Sequence, residues 1–161
     1  MDGIDESYPD TLPTKDIAEY ISKKKAEAYR ETMASDELVI TADTIVVLGQ
    51  QVMGKPKDAD EAKSMLRQLS GRTHQVITGV TLTTTNRQMS FSVETDVTFK
   101  MLSDEEIDYY ITHYCPYDKA GAYGIQEWIG HIGVKGMSGS YFNVMGLPVQ
   151  RIYEALKTFS R

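Results

Sequence analysis

The sequence predicts a single α/β domain, a mixed twisted sheet flanked by helices around a central cleft. Helix and strand signals alternate along the whole chain, which argues for layered sheet and helices. Residues 38–48 form an almost continuous apolar, β-branched run that reads as a buried strand. At 161 residues the chain suits one domain with a real core, and we take 1–161 as that domain.

The elements follow in order. Residues 1–14 are acidic, carry Pro9 and Pro13, and read as an extended lead-in. A helix is expected over about Lys15–Met33. At about 100° per residue, Ile17, Ala18, Ile21, Ala28 and Tyr29 cluster on one side of it. The strand at 38–48 follows, either whole or broken into two near Asp43. After a polar turn at Gly49, Gln50 and Gln51, Asp58 and Glu61 have capping-box spacing. They open a helix with the stripe Ala62, Met65, Leu66 and Leu69, stopped by Gly71. Residues 74–85 and 88–101 read as paired strands around Asn86-Arg87. In the second, Phe91, Val93, Val97, Phe99 and Met101 alternate with polar residues. Ser103 and Glu106 open another capped helix, to about Tyr114. The glycine-rich stretch 121–146 reads as loops and short strands. Pro148 suits the first position of a last helix carrying Ile152, Leu156 and Phe159.

The bulk properties exclude several classes. A net charge of −6 speaks against a general nucleic-acid binder, whose footprint is basic. An anionic small ligand remains compatible, because a few placed lysines suffice. Cys115 is the only cysteine, so no internal disulfide forms, and a reducing, cytoplasmic compartment fits. Met1 to Asp10 is polar and acidic, unlike a signal peptide. No apolar run approaches the ~20 residues that span a membrane. His74, His113 and His131 show no zinc-ligand spacing.

Four residues and one loop break the pattern. Asp43 sits inside a strongly apolar run, where an unpaired carboxylate is costly. It is either a strand-end cap or a carboxylate with a nearby cation, donor or water. Lys25 falls in the middle of the apolar sector of the first helix, so it points inward or along a cleft wall, or snorkels to water. Lys55, in Gly54-Lys55-Pro56, is not a Walker A lysine: no Ser or Thr follows it. It is a surface turn unless its place just beyond the Asp43 strand matters. Glu6 is a solvated tail residue or a ligand. The run Asp118-Lys119-Ala120-Gly121-Ala122-Tyr123-Gly124-Ile125-Gln126 is a glycine-rich turn or a surface for close approach of a base or ribose. Together these supply two carboxylates, two lysines and a close-packed polar loop. Carboxylates bind a divalent cation, lysines neutralise phosphate oxygens, and such a loop can read a nucleoside.

In that order and spacing, the motifs resemble the Maf family of nucleotide pyrophosphatases, relatives of the inosine triphosphate pyrophosphatases. The resemblance runs through Asp5-Glu6, Lys25-Ala26, Ala42-Asp43-Thr44-Ile45-Val46, Gly54-Lys55-Pro56, Leu69-Ser70-Gly71, His74-Gln75-Val76 and Thr78-Gly79-Val80. It continues through the 118–126 run and Asn143-Val144-Met145-Gly146-Leu147-Pro148. It implies a Maf-like fold and hydrolysis of a nucleoside triphosphate to monophosphate and pyrophosphate. Asp43 matches the family's proton acceptor, Lys25 and Lys55 its phosphate-site lysines, and Glu6 an acidic residue of the metal site. Thr44 and Gln126 match positions tied to substrate choice. Asp43-Thr44 and the Ala122-to-Gln126 loop look like the branch acting on dTTP and UTP. The resemblance further implies Mg²⁺ or Mn²⁺, held by Asp43 and Glu6, and a homodimer.

One departure stands out. Family members open with a strand and a Ser-x-Ser-Pro-Arg-Arg loop, and this sequence contains no Ser-Pro and no Arg-Arg. Without that interior strand, backbone groups should be left unpaired. A non-catalytic, nucleotide-binding regulatory protein linked to septum formation is therefore the alternative reading, and a pyrophosphatase for other nucleotides is a second.

Overall fold

The computed structural model describes residues 3–159, so Met1 and Asp2 of the expected lead-in lie outside the described residues. Helix α1 (Thr14–Arg30) buries Ile17, Ala18, Ile21, Ser22 and Ala26. Ala28, expected in the apolar cluster, is exposed: it has the right angle but belongs to the last turn, beyond Ala26, where burial of the helix stops. Strand β1 (Val39–Leu48) is continuous through Asp43. It turns at Gly49 and Gln50 into the short β2 (Gln51–Met53). Helix α2 (Ala59–Leu69) is capped as its spacing suggests, with Asp58 accepting from the Glu61 amide at 2.8 Å. The box closes only on that side, because Glu61 accepts instead from the Lys57 amide.

Strands β3 (Thr73–Thr83) and β4 (Gln88–Phe99) form the long central hairpin. Met101, read from alternation as buried, is 76% exposed. The strand ends at Phe99, and the Lys100 amide bonds Gly133 instead, so the alternation no longer applies. Helix α3 (Asp104–Tyr114) has Ser103 as its cap. The glycine-rich stretch holds one strand and two short helices where loops and strands were expected: α4 (Trp128–Gly133), β5 (Val134–Ser138) and α5 (Tyr141–Met145). Helix α6 (Val149–Phe159) follows directly after Pro148, whose carbonyl takes the first helical bond, from Ile152.

The sheet runs β2-β1-β3-β4-β5, with helices on both faces, as an α/β domain should. A mixed sheet was expected, yet all four pairings among the described residues are antiparallel. Two of them are tight hairpins, which can only be antiparallel, and α2 returns the chain to β1 in the same sense. Because β2 reaches only Val46–Leu48, the outer edge of β1 from Val39 to Ile45 has no neighbouring strand among the described residues. A groove of about 650 Å³, lined by Glu6, Lys25 and residues 39–42, lies along it.

Strand periodicity divides β1 between two faces. Ile45 and Val47 pack with Ile77 against α1. Val46 packs with Val76 into the larger core under α2, α3 and α4. Gly79, paired with Asp43, lets α1 lie directly on the sheet: a Cβ there would fall 2.2 Å from the Ala18 backbone. Gly79→Ala should therefore lower stability by roughly 2–3 kcal/mol through overpacking. A urea midpoint equal to that of the parent chain would contradict this packing. No helix among the described residues is long and apolar enough to cross a membrane.

Candidate active site

The close seat of α1 brings Lys25 over β1. Its Nζ donates to Asp43 Oδ1 at 2.7 Å and pairs with Glu6 Oε1 at 3.0 Å. The lead-in is held in place to allow this. Lys24 donates to Asp5 Oδ2 at 2.9 Å and to the Ser7 carbonyl at 2.8 Å, which pins the residues on either side of Glu6. Burial pushes the Asp43 carboxyl above the usual carboxylate range, and the Lys25 ammonium pulls it only part of the way back. Burial disfavours the Lys25 charge, but its two carboxylates outweigh that and keep it firmly protonated. The Lys25 hydrogen bond holds Glu6 below its ordinary value.

Lys55 is exposed and forms no hydrogen bond or ion pair with a described residue. Its charge acts on Glu6, Asp43 and Asp118, so it stands near all three. Its turn is tied to the 118–126 loop by a hydrogen bond from the Gly121 amide to the Gly54 carbonyl at 3.1 Å. Gly121 presses on Val46, and both Gly121 and Ala122 have positive φ, 68° and 61°. Ala122 in that region is an uncommon, strained conformation. It persists because the loop is anchored at many points. Tyr110 donates to Glu127 at 3.0 Å and accepts from the Gly124 amide at 3.1 Å. Glu127 also pairs with Lys119 at 3.1 Å. Beneath, the Tyr123 hydroxyl and His74 Nε2 lie 2.6 Å apart, and burial pushes His74 down to about 4, so the pair stays neutral.

These pieces line two joined clefts. One, of about 320 Å³, holds Glu6, Lys25, Asp43, Gly54 and Lys55. The other, of about 250 Å³, is lined by Val46, Val76, Lys119, Tyr123, Gln126, Val144, Met145 and Gly146. Thr44, Lys55 and Ala120 line both. Asp43 and Thr44 point to opposite faces of the sheet, yet both reach the clefts because the β1 edge beside them is open. The geometry thus gathers Glu6, Lys25, Asp43 and Lys55 on one side of that edge. It puts Thr44 and Gln126, exposed and without a hydrogen bond to a described residue, on the other.

Two carboxylate oxygens aimed at one cationic position fit a hard divalent cation. Lys25 holds that position here. No group of three or more His, Cys, Asp and Glu side chains among the described residues could hold a metal alone, so water or phosphate oxygens would have to complete its shell.

Sequence reasoning placed Thr78 and Asn143 in family motifs but gave neither a role at this site. Thr78 bonds Thr44 from the neighbouring strand, and Asn143 donates through its amide to Val76 O, Val93 O and Thr95, fastening α5 to the sheet. Beyond its place in the Thr78-Gly79-Val80 motif, a threonine in a strand gives no signal of its partner. Asn143 offered a faint one, as a polar residue between Phe142 and Val144.

The family described as Maf-like protein matches residues 1–159. A protein of Phocaeicola vulgatus named dTTP/UTP pyrophosphatase is 67% identical over 157 residues, 98% of this chain and 81% of that protein. One of the same name from Parabacteroides distasonis is 59% identical over 159 residues, 99% of this chain and 82% of its own length. A third, from Bacteroides thetaiotaomicron, is 59% identical over 157 residues, covering 98% and 81%.

Proposed function

This chain belongs to the Maf family, and from that premise we propose that it hydrolyses dTTP and UTP to the nucleoside monophosphate and pyrophosphate. The observation that carries the reading is the shared wall of Thr44, Lys55 and Ala120. It sets a corner of two lysines and two carboxylates beside a nucleoside-sized, largely apolar cleft that also carries Thr44, Lys119 and Gln126. The named relatives favour this hydrolase over the regulatory alternative.

In this reading the pyrimidine lies by Thr44 and Gln126, and the triphosphate crosses the open edge of β1 to Lys55 and Lys25. Asp43, whose carboxyl burial makes more basic, takes a proton from the water that attacks the α-phosphorus. The new bond joins water oxygen to the α-phosphorus, and the bond to the α–β bridging oxygen breaks. The two lysines stabilise the charge that collects on the departing pyrophosphate. Mg²⁺ or Mn²⁺ bound by Asp43 and Glu6 would supply further neutralisation of phosphate charge. A cytoplasmic homodimer remains part of the proposal through the family resemblance, to be tested by sedimentation.

The test is pyrophosphate release from dTTP and UTP with Mg²⁺ or Mn²⁺. Release of one pyrophosphate per monophosphate is expected. A folded chain that binds the nucleotides and releases no pyrophosphate would instead support the regulatory reading.

A further inference from the structure

We propose that Thr78 is a specificity-positioning residue: it orients the Thr44 hydroxyl so that the cleft prefers a pyrimidine carrying a hydrogen on N3, as uracil and thymine do, over cytosine. The inference rests on the proposed nucleotide site.

Thr78 is fully buried, so water does not reach its hydroxyl. That oxygen lies 3.1 Å from the Asn143 carbonyl and 2.8 Å from Thr44 Oγ1. The carbonyl can only accept. Two hydroxyls share two protons, and both bonds form in one arrangement alone: Thr78 donates to Asn143, and Thr44 donates to Thr78. Thr44 then shows the cleft only lone pairs. In the reverse arrangement Thr78 donates to Thr44, one bond is lost, and the Thr44 proton points into the cleft.

The acceptor end of this relay is fixed. The Asn143 side chain is buried and bonded to two strands, which holds its carbonyl in place. The Gly146 amide also donates to that carbonyl, at 3.0 Å. The delivery end is open. A Cβ at Gly146 would lie 3.6 Å from Thr44 Oγ1, so glycine there leaves the hydroxyl uncovered. A ring N3–H can donate to the oriented Thr44, whereas the bare N3 of cytosine meets lone pairs. Taking cytosine requires reversal of the relay and loss of one hydrogen bond, so the relay sets a preference rather than a block.

Thr78→Val keeps the shape, removes the relay and leaves the Asn143 carbonyl its Gly146 partner. The measurements are kcat/KM for UTP and CTP, and calorimetric affinities for UMP and CMP. In the parent chain the uracil compounds should be favoured by about tenfold, the worth of one hydrogen bond. Thr78→Val should bring both ratios close to one, mainly through KM, with kcat for UTP retained. Thr78→Ser keeps a hydroxyl and should restore them. Equal handling of UTP and CTP by the parent chain would overturn the proposal, as would unchanged ratios in Thr78→Val. If that variant does not fold, 3-methyluridine triphosphate tests the parent chain, and turnover equal to UTP overturns the idea. The two readings fail separately. UTP and CTP hydrolysed alike sinks the relay and leaves the hydrolase. Selective UMP binding lost in Thr78→Val, with no UTP hydrolysis, keeps the relay and sinks the hydrolase.

Discussion

Asp43→Asn is expected to lower kcat for UTP by about 10³-fold, within the range for removal of a general base. The fold should persist. Asparagine Oδ1 still accepts the Lys25 hydrogen bond, and Lys25 keeps Glu6 as its counter-charge. Thermal melting should therefore move little while turnover collapses. The pH profile gives a second handle. Burial raises the Asp43 pKa, so the carboxylate is lost as pH falls through a value above the usual range. Activity should fall on that acidic limb, at a higher pH than an exposed aspartate near 4 would give. An Asp43→Asn enzyme with near-parental kcat would remove Asp43 from the mechanism.

Several parts of this site were legible in the sequence for physical reasons. A lysine in the apolar sector of a helix and an aspartate in an apolar strand each demand a partner, and here they are each other's. The Asp58 cap of α2 follows from local spacing alone. What stayed hidden depends on distant residues. Strand direction is set by which strands meet, and that is why a mixed sheet was expected where an antiparallel one stands. Helices of five or six residues, such as α5 and α4, are too short to show a period. Thr78 sits among β-formers, and nothing local says that its hydroxyl lies 2.8 Å from Thr44. The open edge of β1 from Val39 to Ile45 among the described residues likewise depends on which strands meet, not on any local signal.

Replacing the two lysines by methionine should separate two roles that the sequence treats alike. Lys25 compensates two carboxylates, one of them largely buried. Lys25→Met would leave Asp43 without its hydrogen bond, at a stability cost of about 1.5–3 kcal/mol, the range for bonds to charged groups. Asp43 would also become harder to ionise, because the cation that opposes its burial is gone. Activity should fall by about 10²–10³-fold, as when one transition-state charge partner is removed. Part of that loss should return at higher pH, where Asp43 ionises again. Lys55 is exposed, with no hydrogen bond or ion pair to a described residue. Lys55→Met should therefore leave the melting temperature unchanged and weaken nucleotide binding, with no recovery at high pH. Part of the Lys25 effect runs through Asp43 and part through the departing pyrophosphate, so Lys25→Met combined with Asp43→Asn should lose less than the product of the two single losses, the non-additivity of residues that work as a unit. Fully additive losses would mean that Lys25 and Asp43 serve the reaction independently, and that their contact is only an ion pair.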